Sequence, residues 1–187
     1  MDAFNYLSVL LSIILGMAIT QILKGYRGMM QSRARLVVYW PSIIWSVLLL
    51  VLAVQSWWAM FGLRHHVDWT FLEFATALAQ QIVMYLLAAL VLPDFFGDAA
   101  VDLRAHYYGQ QRWFFVLLLL LVGISLTKEF LFTGSIGDPS NLLFHLLFAA
   151  LAAGGATIRE GRFHGWMTGA AVLAIGAYIG LLFRHLA

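Results

Sequence analysis

Long apolar stretches broken by short polar ones recur six times along the chain, and this pattern sets the fold class before any single residue is considered. The clearest is WFFVLLLLLVGISLTKEFLF at residues 113–132, and others of similar length lie at about residues 4–23, 37–60, 69–92, 141–158 and 163–184. About 20 apolar residues wound as a helix cross the roughly 30 Å of bilayer hydrocarbon. The pattern therefore predicts an all-α, polytopic membrane bundle of six transmembrane helices forming one membrane domain over residues 1–187.

The punctuation supports these boundaries. Pro41 falls in the first turn of the second span, where its missing N–H costs little, and Trp40 and Trp57–Trp58 mark that span's two ends as interfacial aromatics do. TGSIGDPS at residues 133–140 is a turn-rich loop. The first twenty residues have no basic n-region and no small-x-small cleavage site, so they read as a retained span rather than a signal peptide. Residues 98–110 are expected to form a short interfacial helix, with Val101, Leu103, Tyr107 and Tyr108 turned towards lipid.

Composition agrees and narrows the partners. The chain is 63% hydrophobic and only 11% charged, whereas soluble domains carry about 25% charged residues. The lipid bilayer is thus the first partner. The formal charge of +2 comes from scattered loop arginines, without the clustered basic face that nucleic acid would need. With no cysteine, disulfides, thiolate metal sites and cysteine nucleophiles are excluded.

Charge placement sets an orientation. With the N-terminus outside, Lys24, Arg27, Arg33, Arg35, Arg104, Arg112, Arg159 and Arg162 fall on the inner side, and only Arg64, Lys128 and Arg184 on the outer. Basic residues concentrate in cytoplasmic loops. Both termini are therefore expected on the extracytoplasmic side of a bacterial inner membrane.

Two helical faces carry small residues. Ser8, Ser12, Gly16 and Thr20 recur every fourth residue in the first span, bracketed by Asn5 and Gln21. Gly165 and Gly169, then Gly176 and Gly180, form two GxxxG pairs in the sixth. Such faces let membrane helices approach closely. The first is expected to be a packing seam, and the second to meet helix five or a second copy in a homo-oligomer. An inverted 3+3 repeat is a further expectation: Val9-Leu10-Leu11, Gly16 and Thr20 align with Val116-Leu117-Leu118, Gly123 and Thr127 at an offset of 107. Repeats of this kind are a common transporter plan.

Candidate chemistry rests on polar side chains inside the apolar stretches. Asn5 and Ser8, Gln55, Glu73 and Thr76, Lys128 and Glu129, His145 and Tyr178 come from six different spans and all fall in the outer half. Gln80 shares the Glu73 face of span three, with Thr76 and Met84. Polar groups cannot face lipid cheaply, so this set predicts an outward-facing polar pocket. Lys128 and Glu129 are consecutive and diverge by about 100° around the helix, so each needs its own partner. Glu73 is the expected partner of Lys128, and His145 or Arg184 of Glu129. The competing expectation is that Lys128, about 22 Å along its span, snorkels to the headgroups.

Metal and enzyme signatures are weak. Asp98, Asp102 and His106 fall on one side of the expected interfacial helix at i, i+4 and i+8, a weak metal candidate that reads more simply as a solvated face. His65 and His66 are adjacent but lack a third ligand. Only His145 lies clearly within a span, so paired haem ligands are not expected, and no cofactor is predicted. No G-x-S-x-G, H-E-x-x-H or phosphotransfer pattern occurs. The leading expectation is a small transporter or channel for a small polar solute or ion, with proton coupling through a carboxylate and an imidazole. A non-catalytic membrane sensor or assembly subunit is the alternative, and a membrane-embedded enzyme the third.

Overall fold

The structure, a computed structural model, describes residues 3–31, 36–94, 100–135 and 138–182. Asp98, Arg33, Arg35 and Arg184 lie outside the described residues. Six helices make up the fold: α1 Ala3–Gln31, α2 Trp40–Phe61, α3 Phe71–Val91, α4 Leu103–Thr133, α5 Pro139–Thr157 and α6 Gly161–Leu182. Each is long and apolar enough to cross a bilayer. The chain is a helical membrane bundle. We call the side where α1 starts and α6 ends the terminal side, and the other the opposite side.

Local chemistry explains the helix ends. Pro41 occupies the first turn of α2 and Pro139 opens α5, and at both places a missing N–H is harmless. Thr70 caps α3 by accepting from the Glu73 N–H, and the Glu73 carboxylate accepts from the Thr70 N–H at 2.7 Å, a complete capping box. Asp102 caps α4 by accepting from the Arg104 and Ala105 N–H groups. Gly134 ends α4 at φ 71, a left-handed conformation that glycine adopts without steric cost.

Helices α3 and α4 are the centre of the bundle. α1 lies along α3, α3 along α4 and α4 along α5, while α6 packs on α5 and α2. Leu49, Leu87, Leu103 and Phe115 are wholly buried where these helices meet. On the opposite side, Leu36–Val37 (β1) and Val101–Asp102 (β2) form a two-residue parallel bridge that ties the entry of α2 to the entry of α4.

Two expectations need correction, and a third is not shown. Residues 103–110 are not an interfacial helix but the first turns of α4, whose 31 residues extend about 46 Å. The reason is a continuous buried stripe, Leu103, Tyr107, Gln111, Phe114, Phe115, Leu118 and Leu121, that keeps one face of a single helix against the bundle. Gly109 alone does not break it.

The second correction concerns α1. Its buried face is Leu11, Leu15, Ala18, Ile22, Gly25 and Gly28, whereas Gly16 and Thr20 are exposed and Ser8 and Ser12 only half-buried. The true seam is set by bulk: a Cβ on Gly25 would lie 2.6 Å from Leu92 Cδ1, so glycine there admits the end of α3. Thr20 satisfies its hydroxyl on the Gly16 carbonyl of its own turn, and Ser8 on that of Asn5. These side chains need no neighbouring helix.

The third concerns the repeat. α1 packs along α3, but α4, its counterpart in a 3+3 scheme, has no comparable packing on α6. The two halves are not seen as packing equivalents. Gly165, Gly169, Gly176 and Gly180 have open space where a Cβ would stand, so this face of α6 does not meet α5. The face of α6 that enters the bundle is His164, Met167, Thr168, Ala171, Ala174, Ile175 and Tyr178.

Candidate functional site

A cavity of about 80 Å³ lies among α2, α3, α4, α5 and α6, in the middle and terminal half of the bundle. Each of the five helices contributes a polar side chain: Gln55 and Ser56 from α2, Gln80 from α3, Ser125 from α4, His145 from α5 and Tyr178 from α6. The remaining wall is apolar, built chiefly by Trp45, Leu52, Met84, Leu118, Phe148 and Ile175. Such a mix of mostly apolar lining and a few convergent polar groups is typical of small-molecule sites.

His145 anchors the polar side. Its Nδ1 lies 2.8 Å from the Asn141 carbonyl of its own helix and its Nε2 lies 3.0 Å from Ser125 Oγ. A carbonyl can only accept, so Nδ1 carries the proton and donates it. Nε2 is then the bare nitrogen, and the Ser125 hydroxyl donates to it. Behind this pair, the Asn141 amide donates to Glu129 Oε2 at 2.6 Å. The Tyr178 ring stands edge-on to His145, with centroids 6.3 Å apart, and also packs on Phe144 and Phe148.

The glutamines behave differently from one another. Gln81, facing α2, donates to Ser56 Oγ at 3.0 Å and is structural. Gln55 and Gln80 make no side-chain hydrogen bond among the described residues. Gln80 is only 8% exposed, and its buried Oε1 has no partner. A buried amide without a partner costs about 1–3 kcal/mol, which a bound hydrogen-bonding solute would offset.

Of the residues expected at a site, the structure brings Gln55, Gln80, His145 and Tyr178 to one cavity. The charged ones stay outside it. Glu73 is committed to its capping box and to His66, whose Nε2 lies 3.3 Å from Glu73 Oε1. The expected Glu73–Lys128 pair is therefore not formed. Lys128 is half-buried, with no ion pair or hydrogen bond among the described residues. Glu129 pairs with Asn141 rather than with His145. Asn5 is exposed on the outer face of α1, and Thr76 bonds back to the Leu72 carbonyl. Helix rotation decides each case: positions at one depth need not share an azimuth.

The metal candidates separate too. Asp102 caps α4, and His106 Nε2 lies 2.9 Å from the Leu90 carbonyl. Among the described residues no group of three or more His, Asp or Glu side chains is placed to hold an ion.

Sequence reasoning missed Ser125 and a second polar cluster. His164 stands inside α6 and is wholly buried, so His145 is not alone within a span. Its Nε2–H donates to the Ile158 carbonyl at 2.8 Å, leaving Nδ1 to accept from the Tyr107 hydroxyl at 2.8 Å. Gln111 donates at 2.7 Å to the carbonyls of Gly155 and Ile158, the open end of α5. Tyr39 and Tyr108 share a hydrogen bond at 3.1 Å beside them. This cluster sits on the opposite side and ties α4, α5 and α6 together, with the buried Gln111 Oε1 left without a partner. A usable signal was the Leu103–Tyr107–Gln111 spacing, which continues the apolar stripe of α4.

No family model, no curated protein and no solved structure matches this chain.

Proposed function

We propose that this protein is a small membrane transporter or channel whose substrate site is the five-helix cavity. One observation carries the reading: Gln55, Gln80, Ser125, His145 and Tyr178, from five helices, face a single space in an otherwise apolar interior. The absence of Lys128, Glu129 and Glu73 from that lining favours an uncharged polar solute over an ion. The free amides of Gln55 and Gln80 provide donors and acceptors for it. Any proton coupled to the movement would pass through His145, the one imidazole on the cavity wall.

In proteoliposomes, swelling with urea, glycerol or small alcohols is expected to be faster than in protein-free vesicles. Gln80→Leu is expected to slow it about tenfold, the effect of about one lost hydrogen bond of 1.4 kcal/mol. Swelling equal to that of empty vesicles for all three solutes would sink this reading.

The orientation belongs to the same proposal: a bacterial inner membrane, with both termini outside, supported by the excess of basic residues on the opposite side. The chain has no cysteine, so single cysteines report topology without background. Val67→Cys, on the exposed α2–α3 connection, should react with an impermeant maleimide on intact spheroplasts. Arg159→Cys should react only after lysis. The reverse result inverts the topology.

A second reading keeps one specific support. Gly165, Gly169 and Gly176 on α6 are exposed, with nothing within 4 Å of where a Cβ would stand, as on a face awaiting another helix. The homo-oligomer or assembly-subunit reading rests on that face.

A further inference from the structure

The pairing of Ser125 with His145 does more than line a cavity. Threonine hydroxyls within the helices turn back on their own backbone: Thr20, Thr76, Thr127, Thr133, Thr157 and Thr168 each donate to the carbonyl four residues earlier. This is the default for a hydroxyl in an apolar helix, where no water competes. Two serines depart from it: Ser42, which donates across to the Val91 carbonyl of α3 at 3.0 Å, and Ser125. The Ser125 hydroxyl reaches 3.0 Å across to the next helix and ends on His145 Nε2. That nitrogen is unprotonated because Nδ1–H is held by the Asn141 carbonyl at 2.8 Å. A hydroxyl donating to a bare imidazole nitrogen, with the ring oriented from its far side, is the nucleophile–base arrangement of acyl transfer.

The setting supplies the rest. Ser125 is half-buried and on the cavity wall, so its oxygen is reachable, while His145 is only 6% exposed and shielded from solvent. Gln80, more than nine-tenths buried, brings an amide with no partner to the same space, and Gln55 brings another. Their N–H groups can donate to a carbonyl oxygen as charge develops on it. The other walls, Trp45, Leu52, Met84, Leu118 and Phe148, are apolar, and the cavity of about 80 Å³ takes the ester group and the first carbons of an acyl chain, the rest extending out of it. Ser125 lies eight residues before the end of α4, about 12 Å below that end.

We infer that Ser125 is a nucleophile activated by His145 for the hydrolysis of a long-chain acyl ester. Ser125 Oγ bonds to the acyl carbon while its proton passes to His145 Nε2. The ester C–O bond then breaks, and the departing alkoxide takes that proton and leaves as the alcohol. Water next adds to the acyl-serine, giving a proton to Nε2. The Oγ–acyl bond breaks, the proton returns to Oγ, and the carboxylic acid leaves. The net change is ester plus water to acid plus alcohol. This chemistry is separate from solute movement, although it uses the same cavity.

The test uses the full chain in lipid nanodiscs, treated with a long-chain alkyl fluorophosphonate, with the adduct located by peptide mass spectrometry. A single adduct on Ser125 is expected in the wild type. It should be absent in Ser125→Ala and form about 10²-fold more slowly in His145→Gln, the usual scale of lost general-base assistance. A fluorogenic long-chain acyl ester should be turned over by the wild type and not by Ser125→Ala. Wild-type protein that forms no adduct on Ser125, or an adduct that forms as fast in His145→Gln, overturns the inference. Solute swelling without an adduct overturns it and leaves transport standing; an adduct and turnover without swelling does the reverse. Because the wild-type arm decides, poor folding of a variant does not shelter the idea.

Discussion

Gly155→Val is expected to unfold the bundle at a markedly lower temperature than the wild type. Gly155 sits in α5 directly over the Phe115 ring of α4, and an added Cβ would stand 2.6 Å from Phe115 Cδ1 and Cε1. Phe115 is wholly buried and edge-packed by Trp45 and Phe114, so the ring has nowhere to retreat. Forcing one methyl into such a core costs about 1–3 kcal/mol, and the two further methyls of valine add to that. Gly176→Val provides the contrast, because nothing lies within 4 Å of a Cβ there. The comparison is thermal unfolding of the two variants in the same detergent. Equal melting temperatures for Gly155→Val and wild type would mean that α4 and α5 do not pack as described. A large loss in Gly176→Val with a change in oligomeric size would show that the α6 face is covered by a second copy.

The second large effect is expected at the opposite side. Gln111→Leu removes both hydrogen bonds that its amide gives to the end of α5, leaving the Gly155 carbonyl without this donor and Ile158 with only His164. In lipid a hydrogen bond contributes about 0.6 kcal/mol on average and up to about 1.7, so the two together are worth about 1–3 kcal/mol. His164→Leu removes the remaining donor to Ile158 and strands the Tyr107 hydroxyl. Because the two variants share one acceptor, the double variant should lose more than the sum of the singles, by about 0.5–1 kcal/mol. Denaturant titration in mixed micelles measures this. Strict additivity would mean that the Ile158 carbonyl is not shared.

These two sites show how far the chain could be read without coordinates. Six apolar runs and Pro41 placed the helices and the start of α2. That worked because crossing 30 Å of hydrocarbon demands length and continuity, which are properties of the linear chain. The depth of polar residues was legible for the same reason, since rise per residue is constant. Gln55, His145 and Tyr178, which the linear count puts in one half of their spans, line one cavity together with Gln80.

Rotation about each helix axis was another matter. In water, an apolar stripe marks the inward face. In a bilayer, lipid chains are as apolar as the core, so leucine carries no direction. The Ser8–Ser12–Gly16–Thr20 stripe resembled a seam, yet among the described residues Gly25, Gly154 and Gly155 are the glycines where an added Cβ would come within 3 Å of a neighbouring side chain. Glu73 and Lys128, at similar heights, turned to different neighbours, and Ser125, twenty residues from His145, became its hydrogen-bond partner. What the linear chain determined was how many helices cross and how deep each polar group lies. Which groups meet was decided only by tertiary packing, because side-chain volume and hydrogen bonding, not hydrophobicity, choose the facing sides of helices that lipid surrounds.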